Sequence, residues 1–206
     1  MSGAKFSVET SFPEIQRALD SMQKDMRERV LVRTLNGVTT QGRTRMSREI
    51  RQEFNLSAAK VNEALAVRPA RWVRGNVILE AELYSPGRYG KRSLNVINFQ
   101  ARQTSKGVTV SITRGGGRKL IAEAFLGNKG RTVFQRVEGK VMGSRMHSKG
   151  AKHRQAIAPV QTIDVPQMFN TRRLNVRVVD FMVELFPRLF AREAAYYIDR
   201  FNKTGR

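Results

Sequence analysis

The sequence predicts an α+β fold, a single domain over residues 1–206 in which a long N-terminal helix and C-terminal helices pack on an antiparallel β-meander. Two patterns predict it. Apolar residues recur every three or four positions in residues 11–66 and again in 165–204, which is the period of an amphipathic helix. Between residues 70 and 163, apolar and polar residues alternate in short runs separated by glycine-rich turns, as in strands joined by hairpins.

The N-terminal helix is predicted to begin at Ser11-Phe12-Pro13-Glu14. These residue types form a capping box, in which the serine accepts a bond from a helical amide and the glutamate reaches back. Gly37 and Gly42 each weaken a helix by about 1 kcal/mol relative to alanine. We therefore expect one long helix with a soft middle that ends at Asn55, followed by a short helix over residues 57–64. The apolar stripe of the long helix consists of Ile15, Leu19, Met22, Met26 and Val30.

Two features mark the start of the meander. Alternation over residues 77–84 predicts one half-buried strand. Residues 94–103 and 108–113 flank Ser105-Lys106-Gly107, which is typical of a hairpin turn in which the glycine supplies a positive φ. The side chains expected to face the core from the second of these strands are those of Val108, Val110 and Ile112.

The meander is predicted to continue with a second hairpin. Residues 120–126 and 131–138 form its strands, around Gly127-Asn128-Lys129-Gly130. Residues 139–155 are polar and basic, so we expect an exposed loop there, and then a short strand near residues 156–163.

The C-terminal part, residues 165–204, is predicted to be helical. Pro187 is expected to kink this helix or divide it in two, because its ring clashes with the carbonyl group four residues back. The apolar positions at helical spacing are Val176, Val179, Val183, Phe186 and Phe190.

Charge is the strongest guide to function. The chain carries 38 lysines and arginines against 17 acidic residues, a formal net charge of +21. Residues 88–152 contain fifteen of the basic residues and only two acids, Glu123 and Glu138. A surface of this kind repels itself unless an acidic partner lies against it, so we expect a polyanion or an acidic protein as partner.

Several classes of protein are disfavoured. The absence of cysteine excludes disulfides and thiolate metal sites. No uncharged apolar run approaches the roughly 18 residues of a membrane span, and the first residues lack a signal-peptide core, so we expect a soluble protein with no membrane partner.

The sequence also lacks a pattern that indicates an enzyme, a cofactor or a metal site. The stretches 87–93 and 115–119 combine glycines with cations but match no phosphate-loop motif. His147 and His153 have no nearby carboxylate, and Glu80 and Glu82 are better explained as neutralising neighbouring arginines. We therefore predict no catalytic residue, no cofactor and no metal.

Two aromatic residues are candidate stacking surfaces for bases. Phe99 and Phe134 both lie in apolar, strand-like stretches, so the core is the favoured place for each. Contact with nucleic acid is then expected to go through the phosphate backbone, independent of sequence.

Four segments, in this order, resemble the motifs of the prophage minor tail protein Z family. They are residues 98–108 (NFQARQTSKGV), 124–125 (AF), 130–137 (GRTVFQRV) and 165–169 (VPQMF). The basic stretch 139–155 is longer than the corresponding part of the family. The motif positions assigned to the structural core are Phe99, Phe125, Phe134, Pro166, Met168 and Phe169.

The resemblance implies a structural role in the virion, as a tail-completion protein in the neck of a long-tailed phage, assembled in the host cytoplasm. It implies a ring, commonly a hexamer, around the channel for genomic double-stranded DNA. The implied neighbours are the head connector and the tail terminator or tail tube protein. The residues expected to face DNA or an acidic neighbour are Arg114, Arg118, Lys119, Lys129, Arg131, Lys149, Lys152 and Arg154. The alternative is a free, sequence-independent nucleic-acid-binding protein.

Overall fold

The computed structural model describes residues 4–5, 12–20, 22–73, 76–86, 93–141 and 155–204. Five α-helices and eleven short antiparallel strands confirm the predicted α+β class. The chain groups into two compact units: unit 1 is Met1–Ile50, Ala59–Gly87 and Val165–Arg206, and unit 2 is Arg51–Ala58 and Arg88–Asp164. That the whole chain is one domain stays a prediction.

The N-terminal helical region is interrupted where the sequence did not predict it. Helix α1 spans Pro13–Asp20 and α2 spans Lys24–Glu53, whereas the expected soft middle at Gly37 and Gly42 lies inside the continuous α2. The expected cap, Ser11, lies outside the described residues. The short third helix, α3, is confirmed at Ala58–Glu63.

The predicted stripe of the first two helices is confirmed as one face. Its five residues pack with Phe190 and Ala194 into a single apolar cluster of unit 1, and Phe12 stacks on Phe186 with ring centroids 5.3 Å apart. The break after α1 lets both helices direct this face toward the same partner, the C-terminal helix.

The C-terminal helix α5 spans Arg172–Thr204 and runs through Pro187 undivided. Of the predicted positions, Phe190 is buried and Phe186 packs against the same cluster, but the rest of the buried line differs from the predicted one. Leu174, Val178 and Leu185 are buried, whereas Val176 is 49% exposed. Periodicity alone could not choose between these lines, because α5 has apolar residues on more than one side. Among the described residues, no helix is long and apolar enough to cross a membrane.

Glycines set the distance between α2 and α5. A Cβ atom on Gly42 would lie 2.6 Å from Sδ of Met182, and one on Gly37 would lie 3.2 Å from Cδ1 of Leu189. Both contacts are tighter than ordinary van der Waals packing. The two glycines that were expected to soften the helix therefore make room for its partner.

Two buried carboxylates stabilise the same helix pair. Glu49 on α2 accepts bonds from Arg45, at 2.8 Å, and from Arg177 on α5, at 3.2 Å. Glu193 on α5 is paired with Arg33 on α2, at 2.8 Å, and with its neighbour Arg192 at the same distance. A buried charge is costly unless it is paired, so these pairs fix which residues of α2 and α5 lie opposite one another.

Arg33 is further held by aromatic side chains. Its guanidinium lies 5.5 Å from the ring centre of Tyr196 and 5.9 Å from that of Tyr197. A hydrogen bond with Tyr197 and the charge of Glu193 raise the pKa of Arg33 above its ordinary value. Arginine is charged at any working pH, so the effect here is orientation, not titration.

The strands of unit 1 are shorter than predicted. The single strand expected over residues 77–84 is wrong, because the chain forms β3 (Arg71–Val73), β4 (Asn76–Ile78) and then β5 (Glu82–Ser85). β3 pairs with β4, and β5 lies between β1 (Ala4–Lys5) and β2 (Ala66–Arg68), all antiparallel. Ile78 and Leu79 are each more than 40% exposed, so the alternation there does not mark a buried face.

Unit 2 consists of two consecutive meanders. The first is β6 (Arg102–Thr104), β7 (Gly107–Val110) and β8 (Lys119–Ala122), and the second is β9 (Phe125–Gly127), β10 (Thr132–Val141) and β11 (Gln155–Pro159). Both predicted hairpin turns are confirmed, but two of the predicted strands are wrong. Residues 94–103 form mainly a 3₁₀ turn at Val96–Asn98, and residues 120–126 are divided between β8, which pairs with β7, and β9, which pairs with β10. Gly107 has the expected positive φ, 144°, and a Cβ there would lie 2.2 Å from the carbonyl oxygen of Ile121.

The predicted basic loop begins later than expected. Residues 139–141 belong to β10, and Val141 pairs with Gln155 across a register irregularity that follows Arg136. Residues 142–154 lie outside the described part of the chain.

The core of unit 2 is built on side chains from both meanders. Val96, Val108, Val110, Ala124 and Val133 are buried together, with Ile112 partly buried against them. Asn95 joins this core to β10, because its side chain accepts a bond from the amide of Val133 and donates one to the carbonyl oxygen of Val133, both at 3.0 Å. A side chain thus occupies the place of a neighbouring strand.

The contact at Gly42 can be tested by a double-mutant cycle. Gly42→Ala should destabilise unit 1 by about 1–2 kcal/mol, because overpacking against Met182 outweighs the gain in helix propensity. In a Met182→Ala background the same change should stabilise the protein, by up to about 1 kcal/mol. Urea unfolding measures both. Gln41→Ala, an exposed change in the same turn, is the control, and equal effects of Gly42→Ala in the two backgrounds would contradict the packing described.

Candidate functional site

The described candidate cations all lie in unit 2, where they fall into two groups. Arg114 and Arg118 are bonded to the protein backbone, whereas Lys119, Lys129 and Arg131 extend from strand ends and a turn. The other three predicted contacts, Lys149, Lys152 and Arg154, lie outside the described residues, as do both histidines.

Arg114 caps the C-terminus of helix α2. Its Nε donates to the carbonyl oxygen of Arg51 at 2.7 Å, and its backbone amide donates to that of Glu53 at 2.9 Å. The last carbonyl groups of a helix lack partners within the helix, and a cation is favoured at that end of the dipole. Arg114 therefore has a structural use, which the sequence prediction missed because residues 51 and 114 are distant along the chain.

Arg118 is fixed in a similar way. Its Nη2 donates to the carbonyl oxygen of Gln100 at 2.6 Å and lies 3.3 Å from that of Thr109. Gln100 has a positive φ of 52°, so this bond holds an unusual backbone turn at the start of the first meander. The side chain stays exposed but is held in one orientation.

Lys119, Lys129 and Arg131 are exposed cations, and no side-chain bond or ion pair is seen for them within the described residues. Lys129 belongs to the turn between β9 and β10, in which Asn128, Lys129 and Gly130 have φ values of 51°, 55° and 78°. This run of left-handed residues holds the turn tightly, and Arg131 follows it directly. These three are the candidates whose charge remains available to a partner.

The aromatic candidates divide between core and surface. Phe99 is fully buried, as are Met168 and Phe169 of helix α4 (Val165–Phe169). Pro166 is half-buried in the first turn of α4 and accepts a bond from the amide of Asn170 at 3.0 Å.

The core position expected for Phe134 is wrong. Val133 is fully buried, and Phe134 is half-buried on the opposite face of β10. Successive strand residues point to opposite sides, and Val133 and its paired residue Leu126 both pack in the buried cluster, so Phe134 points away from it. Phe125, also expected in the core, is half-buried and pairs with Phe134, so it shares this outward face.

Arg136 joins this outward face and was not among the predicted residues. Its guanidinium lies 5.9 Å from the ring centre of Phe125, and the rings of Phe125 and Phe134 stack with centroids 6.1 Å apart. The signal was present in the sequence, since positions 134 and 136 share a face of any strand. It needed the pairing register of Phe125, which only the hairpin geometry supplies.

The predicted pairing of a carboxylate with a neighbouring arginine is confirmed for Glu82. Glu82 forms an ion pair with Arg68, whose guanidinium also lies over the ring of Tyr84. Among the described residues, no group of three or more histidines, aspartates or glutamates is arranged to hold a metal ion. The site is therefore best described as a cationic surface of unit 2 with an adjoining aromatic face.

The two faces of β10 can be distinguished by mutation. Val133→Asp should prevent soluble folding, because a buried charge without a partner costs several kcal/mol. Phe134→Thr should leave the protein folded and lower its stability by roughly 1–3 kcal/mol, through loss of one half-buried aromatic contact. Circular dichroism and urea unfolding measure the difference, and comparable damage from both changes would contradict the register.

Comparison of the chain with models of protein families, with curated proteins and with solved structures gave no match.

Proposed function

We propose that this chain is a structural, non-enzymatic virion protein that completes the head-proximal end of a phage tail and joins it to the head connector around the DNA channel. The proposal rests first on the resemblance to the prophage minor tail protein Z family. Its partners would be further copies of itself in a ring, proposed as a hexamer, the tail terminator or tail tube protein, the connector, and genomic duplex DNA. Its location would be the neck of the virion, after assembly in the host cytoplasm.

The residues that carry the resemblance have defined structural uses, which supports treating them as a motif. Phe99 is fully buried, Gly107 occupies a position that no side chain fits, and Val133 is buried in the core of unit 2. Phe169 is buried in unit 1. The fold therefore depends on these residues at these positions in the chain.

The observation that carries the functional part is that Lys119, Lys129 and Arg131 are exposed and have no ion pair within the described part of the chain. Cations that neutralise phosphates bind a duplex without reading its sequence, which suits a channel through which a whole genome passes. Arg114 and Arg118 contribute charge, but their bonds to backbone carbonyls give them a structural use as well.

The net charge of +21 bears on assembly. Identical subunits of this charge repel one another, so a ring would need DNA or acidic neighbours to neutralise it. The carboxylates of Glu49 and Glu193 are buried in arginine pairs and offer little compensation at the surface. Assembly dependent on a polyanion is therefore part of the proposal.

The same exposed cations also favour the alternative, a free sequence-independent nucleic-acid-binding protein. Salt dependence separates the two. Tight binding of the monomer to duplex DNA, with affinity falling steeply as salt increases, would favour the alternative. Feeble binding until the chain is assembled on tails would favour the neck role.

The direct test is to add purified chain to tails made without it and to count joined, infectious particles. Replacing Lys119, Lys129 and Arg131 together by serine should leave the fold intact and reduce joining at least several-fold. It should also lower the slope of log affinity against log salt for duplex DNA by about 3, since each phosphate contact contributes about 0.9.

The matched control removes the same charge from unit 1. Arg29, Arg48 and Arg188 are exposed, and their replacement by serine should leave joining near the wild-type value. Equal loss in both triple variants would mean that total charge matters and not these positions. Normal joining by the first variant would remove the three residues from the contact, and failure of the wild-type chain to restore joining would refute the neck role.

A further inference from the structure

We infer that the outward face of the β9–β10–β11 sheet is a binding site for unpaired nucleotides, with Phe125, Phe134 and Arg136 as its stacking surface. This goes beyond the proposed neck function, which requires only contact with the backbone of duplex DNA. The inference stands on the register of three strands and on the side chains that this register brings together.

The register defines the members of the face. Phe134 pairs with Phe125 on one side and Pro159 on the other, and Arg136 pairs with Ile157. Directly paired residues of antiparallel strands point to the same side of a sheet. Pro159 and Arg136 are exposed, Ile157 is 43% exposed, and the two phenylalanines are half-buried.

Three planar groups lie side by side on this face. The rings of Phe134 and Phe125 stack at an interplanar angle of 29°, and the guanidinium of Arg136 lies over the ring of Phe125. Gly127 leaves room for the ring of Phe134, because a Cβ atom on Gly127 would lie 2.7 Å from Cδ2 of that ring. Bases stack on guanidinium planes as well as on aromatic rings, so a base can extend this series at its arginine end.

The charges around the face fit a single strand. Lys129 and Arg131 stand at the turn that begins β10, and Arg136 lies within the face, so cations occur along the direction of the strand. The acidic residue of β10, Glu138, comes after Arg136 and toward the register irregularity. Phosphates on the side of the turn would be attracted, and those near Glu138 would be repelled.

The size of the face suits a short stretch of nucleotides. Neighbouring strands lie about 4.8 Å apart, so three strands give a width of roughly 10 Å. Stacked nucleotides rise about 3.4 Å each, so two or three can lie across it. In a duplex, the base faces are already stacked on one another and cannot use this surface.

An apolar sheet face with an arginine could instead receive a protein segment, and the experiment includes that outcome. Fluorescence anisotropy would compare the full chain binding to a labelled 15-nucleotide oligo(dT), an abasic 15-mer of equal charge, a 15-base-pair duplex and a polyglutamate peptide. The structure predicts that oligo(dT) binds about ten-fold or more tightly than the abasic strand, because only the first offers bases for stacking.

Three variants locate the effect. Phe125→Leu and Phe134→Leu keep an apolar side chain and should each lower the preference for oligo(dT) over the abasic strand at least three-fold. Arg136→Lys keeps the charge and loses the plane, so it should lower the preference without changing the salt dependence. Because Arg136 is exposed, this variant tests the site even if a phenylalanine variant fails to fold. Leu120→Ala, at an exposed position of the first meander, should leave the preference unchanged.

One further variant tests the charges around the face. Glu138→Gln should tighten binding of oligo(dT) and of the abasic strand alike, because it removes one repulsive charge.

Equal binding of oligo(dT) and the abasic strand by the wild-type chain would overturn the inference, as would a preference that survives all three variants. Polyglutamate that competes as well as oligo(dT) would assign the face to an acidic protein. None of these results depends on particle joining, so the neck proposal stands or falls separately.

Discussion

Close contact between helices α2 and α5 is the constraint on which unit 1 depends. The contact is possible because Gly42 and Gly37 leave space for Met182 and Leu189. The same contact buries the carboxylates of Glu49 and Glu193, and each then requires two arginines. Small residues thus set the distance between the helices, and ion pairs set their register, since a shift along the axis would leave a buried charge without its partner. The described strands of unit 1 are only two to four residues long.

Unit 2 is stabilised in a different way. Its strands are only three to ten residues long, so polar side chains complete the backbone bonding that longer strands would supply. Asn95 bonds both backbone groups of Val133, and the amide group of Gln103 donates to Gly107 and accepts from Leu126. These bonds connect the two meanders around a core of small β-branched residues. The motif positions of the sequence are largely the positions that this network uses.

The basic residues that the structure describes include four groups with different contacts. Arginines 33, 45, 177 and 192 neutralise buried carboxylates, and Arg114 and Arg118 bond to backbone carbonyls. Lys119, Lys129 and Arg131 extend into solvent, and Arg136 lies against an aromatic ring. Of these four groups, the last two can bind a partner without cost to the fold. The functional proposals therefore rest on a small subset of the 38 basic residues.

Much of the fold follows from the sequence alone, because local interactions decide it. The α+β class, the N-terminal stripe, both hairpin turns of unit 2 and the positive φ of Gly107 depend on periodicity and on turn residues within a few positions of one another. The tertiary structure alone decided what depends on distant partners. Gly37 and Gly42 lie in an unbroken helix because α5 packs there, Arg114 caps a helix sixty residues earlier in the chain, and the pairing of Val133 with Leu126 turns Phe134 outward. A sequence shows which residues can alternate or carry charge. Which face is buried and which charge is neutralised depend on the partner that packing brings, and that partner lies elsewhere in the chain.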